Sequence, residues 1–203
     1  MNFSYWLGHR FFRELARGLF DFRVIGGEKL PIAGPAIIAS NHVSFLDPPL
    51  VGIAFDEVVH SFARKSLFNH PLMGAVLRSW QVFGVDIDKH DTAALKHTIR
   101  LLRTGEKVVI FPEGTRSHDG KLLPAEAGVG LFIAKSQAPV LPVRLFGTYE
   151  AYPRGAKTLR PAQITLVIGD LWQPDLKSYP QTGKDLYQVL ADEVMRRIGE
   201  LTL

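Results

Sequence analysis

The sequence predicts an α/β fold: one domain with a central mixed, largely parallel sheet flanked by helices, preceded by an amphipathic N-terminal helix. Short β-branched runs alternate along the chain with segments of helical period, the order that packs helices on a sheet. The 203 residues can build one sizeable core, and no shift in composition divides them. Charged residues make up 22% and hydrophobic ones 46%, which excludes a disordered chain.

The first element spans Met1–Phe20. Arg10, Arg13 and Arg17 fall on one helical side, and Phe3, Leu7, Phe11, Leu15 and Phe22 share another, broadened by Trp6, Phe12 and Leu19. Two arrangements fit this pattern, a helix lying in a membrane interface and a helix packed on its own domain. The expected division is 1–22 as a membrane-surface helix and 23–203 as the domain proper. The segment lacks the charged, then apolar, then small order of a signal peptide. No run of 18 apolar residues predicts a span.

Strands are expected at Ala36–Ser40, Val58–Ala63, Gln81–Ile87, Lys107–Phe111, Val140–Phe146 and Ile164–Ile168. Lys107–Phe111 is the clearest, a β-branched run after the turn Thr104-Gly105-Glu106. Helical patterns cover Pro49–Phe55, Leu67–Arg78, Thr92–Arg103, Val129–Ser136 and Lys184–Leu201. The last carries Leu186, Leu190, Val194, Ile198 and Leu201 on one stripe, as core packing requires. Tyr149–Pro161 reads as a loop rich in Pro, Gly, Arg and Lys.

The chain has no cysteine, which excludes disulfides, thiol nucleophiles and the usual ligands of structural zinc; no metal site is expected. A net charge of +4 favours anionic partners, though a well-solvated surface accounts for it equally.

Two segments can carry chemistry. In Asn41-His42-Val43-Ser44-Phe45-Leu46-Asp47-Pro48-Pro49 a His precedes an Asp by five positions. Chance alone gives about 0.4 such pairs among 7 His and 11 Asp, so the spacing decides nothing by itself. On one continuous helix the two would stand about 140° apart and not meet. Asp47 before Pro48 reads instead as an N-cap with proline in the first turn, leaving His42 in the turn after a strand, free to fold back. A carboxylate on one imidazole nitrogen sets the tautomer, and the other nitrogen can take a proton from an alcohol. A capping Asp beside a buried, satisfied His fits the same residues. The second segment, Phe111-Pro112-Glu113-Gly114-Thr115-Arg116-Ser117, follows the clearest strand. Gly114 allows a tight turn, Arg116 can grip a phosphate with two hydrogen bonds, and Glu113 can orient that arginine. A polar turn with an internal salt bridge fits as well. Both segments fall at the strand ends where open α/β sheets bind ligands.

Taken in order, Asn41-His42 with Asp47, Phe62-Ala63-Arg64-Lys65-Ser66-Leu67 with Pro71, Gly74 and Gly84–Lys89, then Phe111–Ser117, then Ala138-Pro139-Val140-Leu141-Pro142-Val143 resemble the glycerolipid acyltransferase family, with its 1-acyl-glycerol-3-phosphate acyltransferases. The resemblance covers residues 22–170. It implies His42 as general base and Asp47 as its orienting carboxylate. Glu113, Gly114, Thr115 and Arg116 would bind the acceptor's glycerol phosphate, with Lys65 and Lys89 near that phosphate. Pro142 and Val143 would shape the acyl-donor side. The implied reaction moves an acyl group from acyl-CoA or acyl carrier protein to the sn-2 hydroxyl of a lysophospholipid, 1-acyl-glycerol 3-phosphate, with no cofactor. Another lysolipid or glycerol 3-phosphate is the alternative acceptor. Lys89 stands where many members carry arginine, which keeps the charge but loses the two-pronged grip. The expected location is peripheral, on the cytoplasmic face of a membrane with anionic lipids.

Other function classes find less support. No Gly-x-Ser-x-Gly elbow marks a serine hydrolase, and no phosphate-binding glycine loop marks a nucleotide enzyme. Gly128-Val129-Gly130 is only a fragment of such a loop. Lys and Arg are scattered without a nucleic-acid recognition motif, so no nucleic acid is expected. A non-catalytic anionic-lipid-binding module would need the basic patches but not the His42–Asp47 pair.

Overall fold

The computed structural model describes residues 3–86 and 91–203, with side chains from Tyr5 onward. Its elements run α1 (Phe3–Phe20), β1 (Arg23–Ile25), β2 (Ala36–Ser40), α2 (Asp47–Ala54), β3 (Val59–Arg64), α3 (Pro71–Ser79), β4 (Val82–Val85), α4 (Thr92–Arg103), β5 (Lys107–Ile110), α5 (Gly128–Ser136), β6 (Val140–Phe146), α6 (Thr148–Ala151), β7 (Thr165–Ile168) and α7 (Gly183–Glu200). Every residue of β2 and β5 is buried, Ser40 and Lys107 at their ends included, so these largely apolar runs read as strands covered on both faces. They pair with each other in parallel at the centre of one sheet of order β1-β7-β6-β2-β5-β3-β4. β7 runs antiparallel to β6, and β1 follows β7, which makes the sheet mixed but largely parallel.

Alternation along the strands splits the core into two layers. Ala36, Ile38, Val109, Leu141 and Val143 meet α2 and the inner side of α1 through Leu50, Val51, Ile53, Ala16 and Phe20. Ile37, Ala39, Val108 and Val140 meet α4, α5 and α7 through Leu102, Val129, Ile133, Leu190, Val194 and Ile198. From β2 the chain leaves through α2 toward β3, and from β5 it leaves through α5 toward β6, on the other side of β2. The two connections depart to opposite faces, so the crevice between the C-terminal ends of β2 and β5 is the topological switch point of the sheet.

Several elements differ from expectation for local reasons. β1 is a three-residue exposed edge strand, with neither the length nor the burial that makes a strand visible in a pattern. The helix expected from Leu67 divides into a 3-10 turn at Lys65–Asn69 and α3. Pro71 opens α3 as its first residue and holds His70 extended, where its Nδ1 accepts the Met73 N–H. The strand expected to reach Ile87 ends at Val85; Ile87 lies outside the described residues. Tyr149–Pro161 begins inside α6. α5 starts at Gly128, one residue before the expected Val129.

α1 has three faces, not two. Tyr5, His9, Ala16 and Phe20 are buried. Arg13 lies on the flank of that face, donating to the Ile53 carbonyl at 2.8 Å and to Asp56 at 2.6 Å. Leu7, Phe11, Leu15 and Leu19 remain exposed on a separate stripe. Phe22 lies beyond the helix and is buried in the core.

Gly130 sets the spacing of α5 and α7, because a Cβ there would overlap the Tyr187 carbonyl. Gly130→Ala must push the helices apart and is expected to cost about 1–3 kcal/mol. A urea unfolding curve with an unshifted midpoint would show that the two helices do not approach this closely.

Candidate active site

The first site loop begins where β2 stops pairing with β6. Ladder pairing ends at Ser40 opposite Val143. The buried Asn41 side chain then takes over, donating to the Leu145 carbonyl at 3.0 Å and accepting its N–H at 2.8 Å. The backbone of residue 41 is thereby freed from the sheet, and the chain turns out carrying His42.

Asp47 closes this turn from below. Leu46 is the N-cap of α2, and Asp47 is its first residue rather than the expected N-cap, so the helix starts one residue earlier. Pro48 and Pro49 have no N–H, so the first turn offers a capping carboxylate no donor there. The Asp47 carboxylate turns backwards instead. Its Oδ2 accepts the Val43 N–H at 2.7 Å and the Ser44 N–H at 2.6 Å, and it lies 2.9 Å from His42 Nδ1. Asp47 is fully buried and the His42 ring is 17% exposed. A proton on Nδ1 pointing at the carboxylate leaves Nε2 as the ring's lone-pair nitrogen, and Nε2 has no partner among the described residues. The ring stacks on Phe111, centroids 4.2 Å apart.

The second loop leaves β5 and wraps this histidine. Gly114 turns it at φ 65°, a left-handed conformation that glycine adopts without strain, and its N–H donates to the Phe111 carbonyl. The His42 N–H donates to Glu113 Oε1 at 3.0 Å, and the Ser117 N–H donates to the His42 carbonyl at 2.8 Å. Glu113 Oε2 accepts the Leu123 N–H at 3.3 Å. Glu113 is buried, and desolvation pushes its carboxyl up to about 7; the two backbone N–H groups oppose this shift, and the nearby Asp47 charge adds to it.

Arg116 does not pair with Glu113. Its guanidinium carbon lies 3.4 Å from the centroid of the half-exposed Phe45 ring, and its Nη1 is buried without a partner. Burial holds its pKa below the ordinary arginine value, and the positive charges of Arg154 and Arg64 act in the same sense. Thr115 is exposed beside it.

His42, Asp47, Glu113, Gly114, Thr115 and Arg116 thus come together at the switch point. The other candidates stand differently. Lys65, at the end of β3, has its ammonium 3.3 Å from Asp91 on an exposed surface. Lys89 lies outside the described residues. Pro142 and Val143 are buried in β6, with side chains alternating to opposite faces of the sheet. Asn41, Phe45 and Phe111 hold or cover the site without having been singled out. All three lie within the two segments that can carry chemistry, but nothing in the sequence marks these roles for them. The cleft of about 670 Å³ between α1, the β1 lead-in and the end of α2 is lined by none of these residues.

Known proteins resemble this chain over most of its length. The 1-acyl-sn-glycerol-3-phosphate acyltransferase of Bacillus subtilis is 28% identical over 181 residues, which span 88% of this chain and 87% of that protein. The chloroplastic 1-acyl-sn-glycerol-3-phosphate acyltransferase BAT2 of Brassica napus is 33% identical over 137 residues, 65% of this chain but only 39% of the plant protein. The crystal structure of the 1-acyl-sn-glycerophosphate acyltransferase from Thermotoga maritima superposes with a TM-score of 0.75 at 29% identity, covering 96% of this chain and 78% of that one. The family model described as Acyltransferase matches residues 21–145. That stretch contains both site loops, and the chain belongs to the acyltransferase family.

Proposed function

We propose that this O-acyltransferase moves a fatty acyl group from a thioester, acyl-CoA or acyl carrier protein, to the sn-2 hydroxyl of 1-acyl-glycerol 3-phosphate, giving phosphatidic acid. The observation that carries this reading is the His42 Nδ1–Asp47 Oδ2 contact of 2.9 Å at the switch point. Nε2 takes the proton of the acceptor hydroxyl while its oxygen adds to the thioester carbonyl. The tetrahedral intermediate collapses by breaking the carbon–sulfur bond, and the departing thiolate recovers the proton from the imidazolium. Asp47 holds the ring's tautomer and stabilises its charged state. No protein nucleophile and no cofactor enters these steps.

The relatives' names supply the acceptor, and the chemistry of Arg116 agrees with it: an unpartnered guanidinium nitrogen at the site mouth suits a phosphate. Gly114 and Thr115 offer the loop's exposed backbone to the same group, and Lys65 and Lys89 add positive charge nearby. Glu113, itself acidic, serves the phosphate indirectly by tying the two loops together. Pro142 and Val143 act on the donor side only through the packing beneath the site.

The membrane is met by α1. No helix among the described residues is long and apolar enough to cross a bilayer. The exposed stripe Leu7, Phe11, Leu15 and Leu19 lies beside Arg10, which sits over the Trp6 ring. Apolar and basic groups side by side suit a peripheral position on an anionic leaflet, at the cytoplasmic face.

In Asp47→Asn an amide oxygen at the Oδ2 position still accepts from Val43, Ser44 and Nδ1, but the negative charge that stabilises the protonated imidazole is lost. With lysophosphatidic acid and an acyl-CoA or acyl-carrier donor, turnover should fall by roughly 10²–10⁴ with little change in KM. Unchanged turnover would remove Asp47 from the mechanism. If wild type and His42→Ala bind lysophosphatidic acid equally and neither acylates it, the chain is a lipid-binding module.

Glu113 has a folded-state pKa of about 7 against an ordinary 4.5, so the native state holds its proton more tightly than the unfolded chain. Its contribution therefore lowers stability as pH rises from about 4.5 to about 7 and is flat above. Glu113→Gln should flatten that segment of the stability–pH curve, measured by denaturant unfolding; an unaltered slope would mean that Glu113 does not titrate there.

Phe11→Asp with Leu15→Asp should abolish sedimentation with anionic vesicles while leaving the melting temperature within a few degrees. Full retention on vesicles would place attachment elsewhere.

A further inference from the structure

A third loop, outside both motif segments, brings charge to the same mouth. The chain after α6 is stitched to the first site loop: Ser44 Oγ donates to the Tyr152 carbonyl at 2.7 Å, and Ser44 bridges Pro153 in antiparallel fashion. α6 and the chain after it are stitched to the second as well. The Tyr149 hydroxyl donates to the His118 carbonyl at 2.9 Å, and Arg154 Nη1 lies 3.1 Å from His118 Nε2, which accepts from it. Arg154 is therefore held between the Ser44–Phe45 side and the Ser117–His118 side of the opening.

Arg116 occupies that opening, its guanidinium over Phe45 and its Nη1 buried without a partner. Among the described residues neither arginine has a carboxylate partner. Two guanidinium groups at one opening repel, and the positive charge of Arg154 is among the causes that hold the Arg116 pKa down, opposed in part by the negative charge of Asp47. An anion placed between them turns this repulsion into attraction to a common partner. A phosphomonoester suits the place better than a diester, since it carries close to two charges at neutral pH and presents three terminal oxygens. Two forked donors can divide those oxygens between them.

We propose that Arg154 is the second cation of the acceptor headgroup site, gripping with Arg116 a terminal phosphomonoester, and that it gives the enzyme its preference for monoester over diester lysolipids. This rests on the acyl transfer proposed above for the acceptor's identity, but not for the binding of the phosphate.

The test compares the full chain with Arg154→Gln and Arg154→Lys on lysophosphatidic acid, a lysophosphodiester and a neutral monoacylglycerol. Arg154→Gln should raise the KM for lysophosphatidic acid roughly tenfold or more with kcat within about threefold. The preference for the monoester over the other two acceptors should shrink, and Arg154→Lys should recover part of it. An unchanged KM, or an equal rise for all three acceptors, overturns the proposal; the equal rise would mean that Arg154 only supports the loop. If wild type acylates none of them, the proposed activity fails separately. Calorimetric titration with glycerol 3-phosphate then decides: weaker binding by Arg154→Gln supports the inference, and equal binding overturns it.

Discussion

A carboxylate buried without partners is among the costliest groups a protein can hold, and Asp47 is fully buried. Its Oδ2 collects two backbone N–H groups and the imidazole, while Oδ1 finds none. The site's local shape follows from this concentration on one oxygen. The turn must bring the Val43 and Ser44 N–H groups to a common point, and that point lies below the His42 ring. Two prolines after Asp47 remove the donors that would otherwise draw the carboxylate into ordinary capping. An acidic group in the first turn of α2 also suits the helix dipole, so the backward orientation sacrifices little.

The second loop supplies what the first cannot. Each polar backbone group of His42 is used by the β5 loop, the N–H by Glu113 and the carbonyl by Ser117. The ring is held from a third direction by Asp47 and covered on one face by Phe111. Independent restraints of this kind fix the ring as closely as the proposed general-base role demands. Their burden falls on Glu113, whose burial works against its own charge. A carboxylate that both site loops need is thus held close to neutrality's edge, and the two backbone donors are what keep it serviceable as an acceptor.

How far the sequence reveals this depends on whether a feature is local. His42 and Asp47 are five residues apart, and proline after the Asp signals a bend, so their meeting can be argued from the chain itself. Lys107–Ile110 shows as a strand because burial on both faces writes itself into a largely apolar run. β1 has no such signature, since its three residues are exposed and its order comes from β7 far along the chain. Phe45 beneath Arg116, Asn41 bound to Leu145 and Arg154 beside His118 join segments 36 to 104 residues apart or more locally unmarked ones. No propensity encodes such contacts. Glu113 shows the same limit: its presence in a motif loop is legible, but its partner is a backbone N–H 71 residues earlier, which no motif describes.

The N-terminal helix carries the division between local and global information furthest. Its most apolar stripe, Leu7, Phe11, Leu15 and Leu19, would normally be the one turned inward, yet it faces out. The inward face is built from Tyr5, His9, Ala16 and Phe20 and is secured by Arg13 on the end of α2. A helix docked by its less apolar face leaves the more apolar one free, which suits the membrane contact proposed for it. α2 joins the two requirements. It is an eight-residue helix, about 12 Å long, with Arg13 of α1 bound near its C-terminus and Asp47 at its N-terminus. The exposed apolar stripe and the carboxylate that holds the His42 ring are therefore linked by one short helix with half of its residues buried.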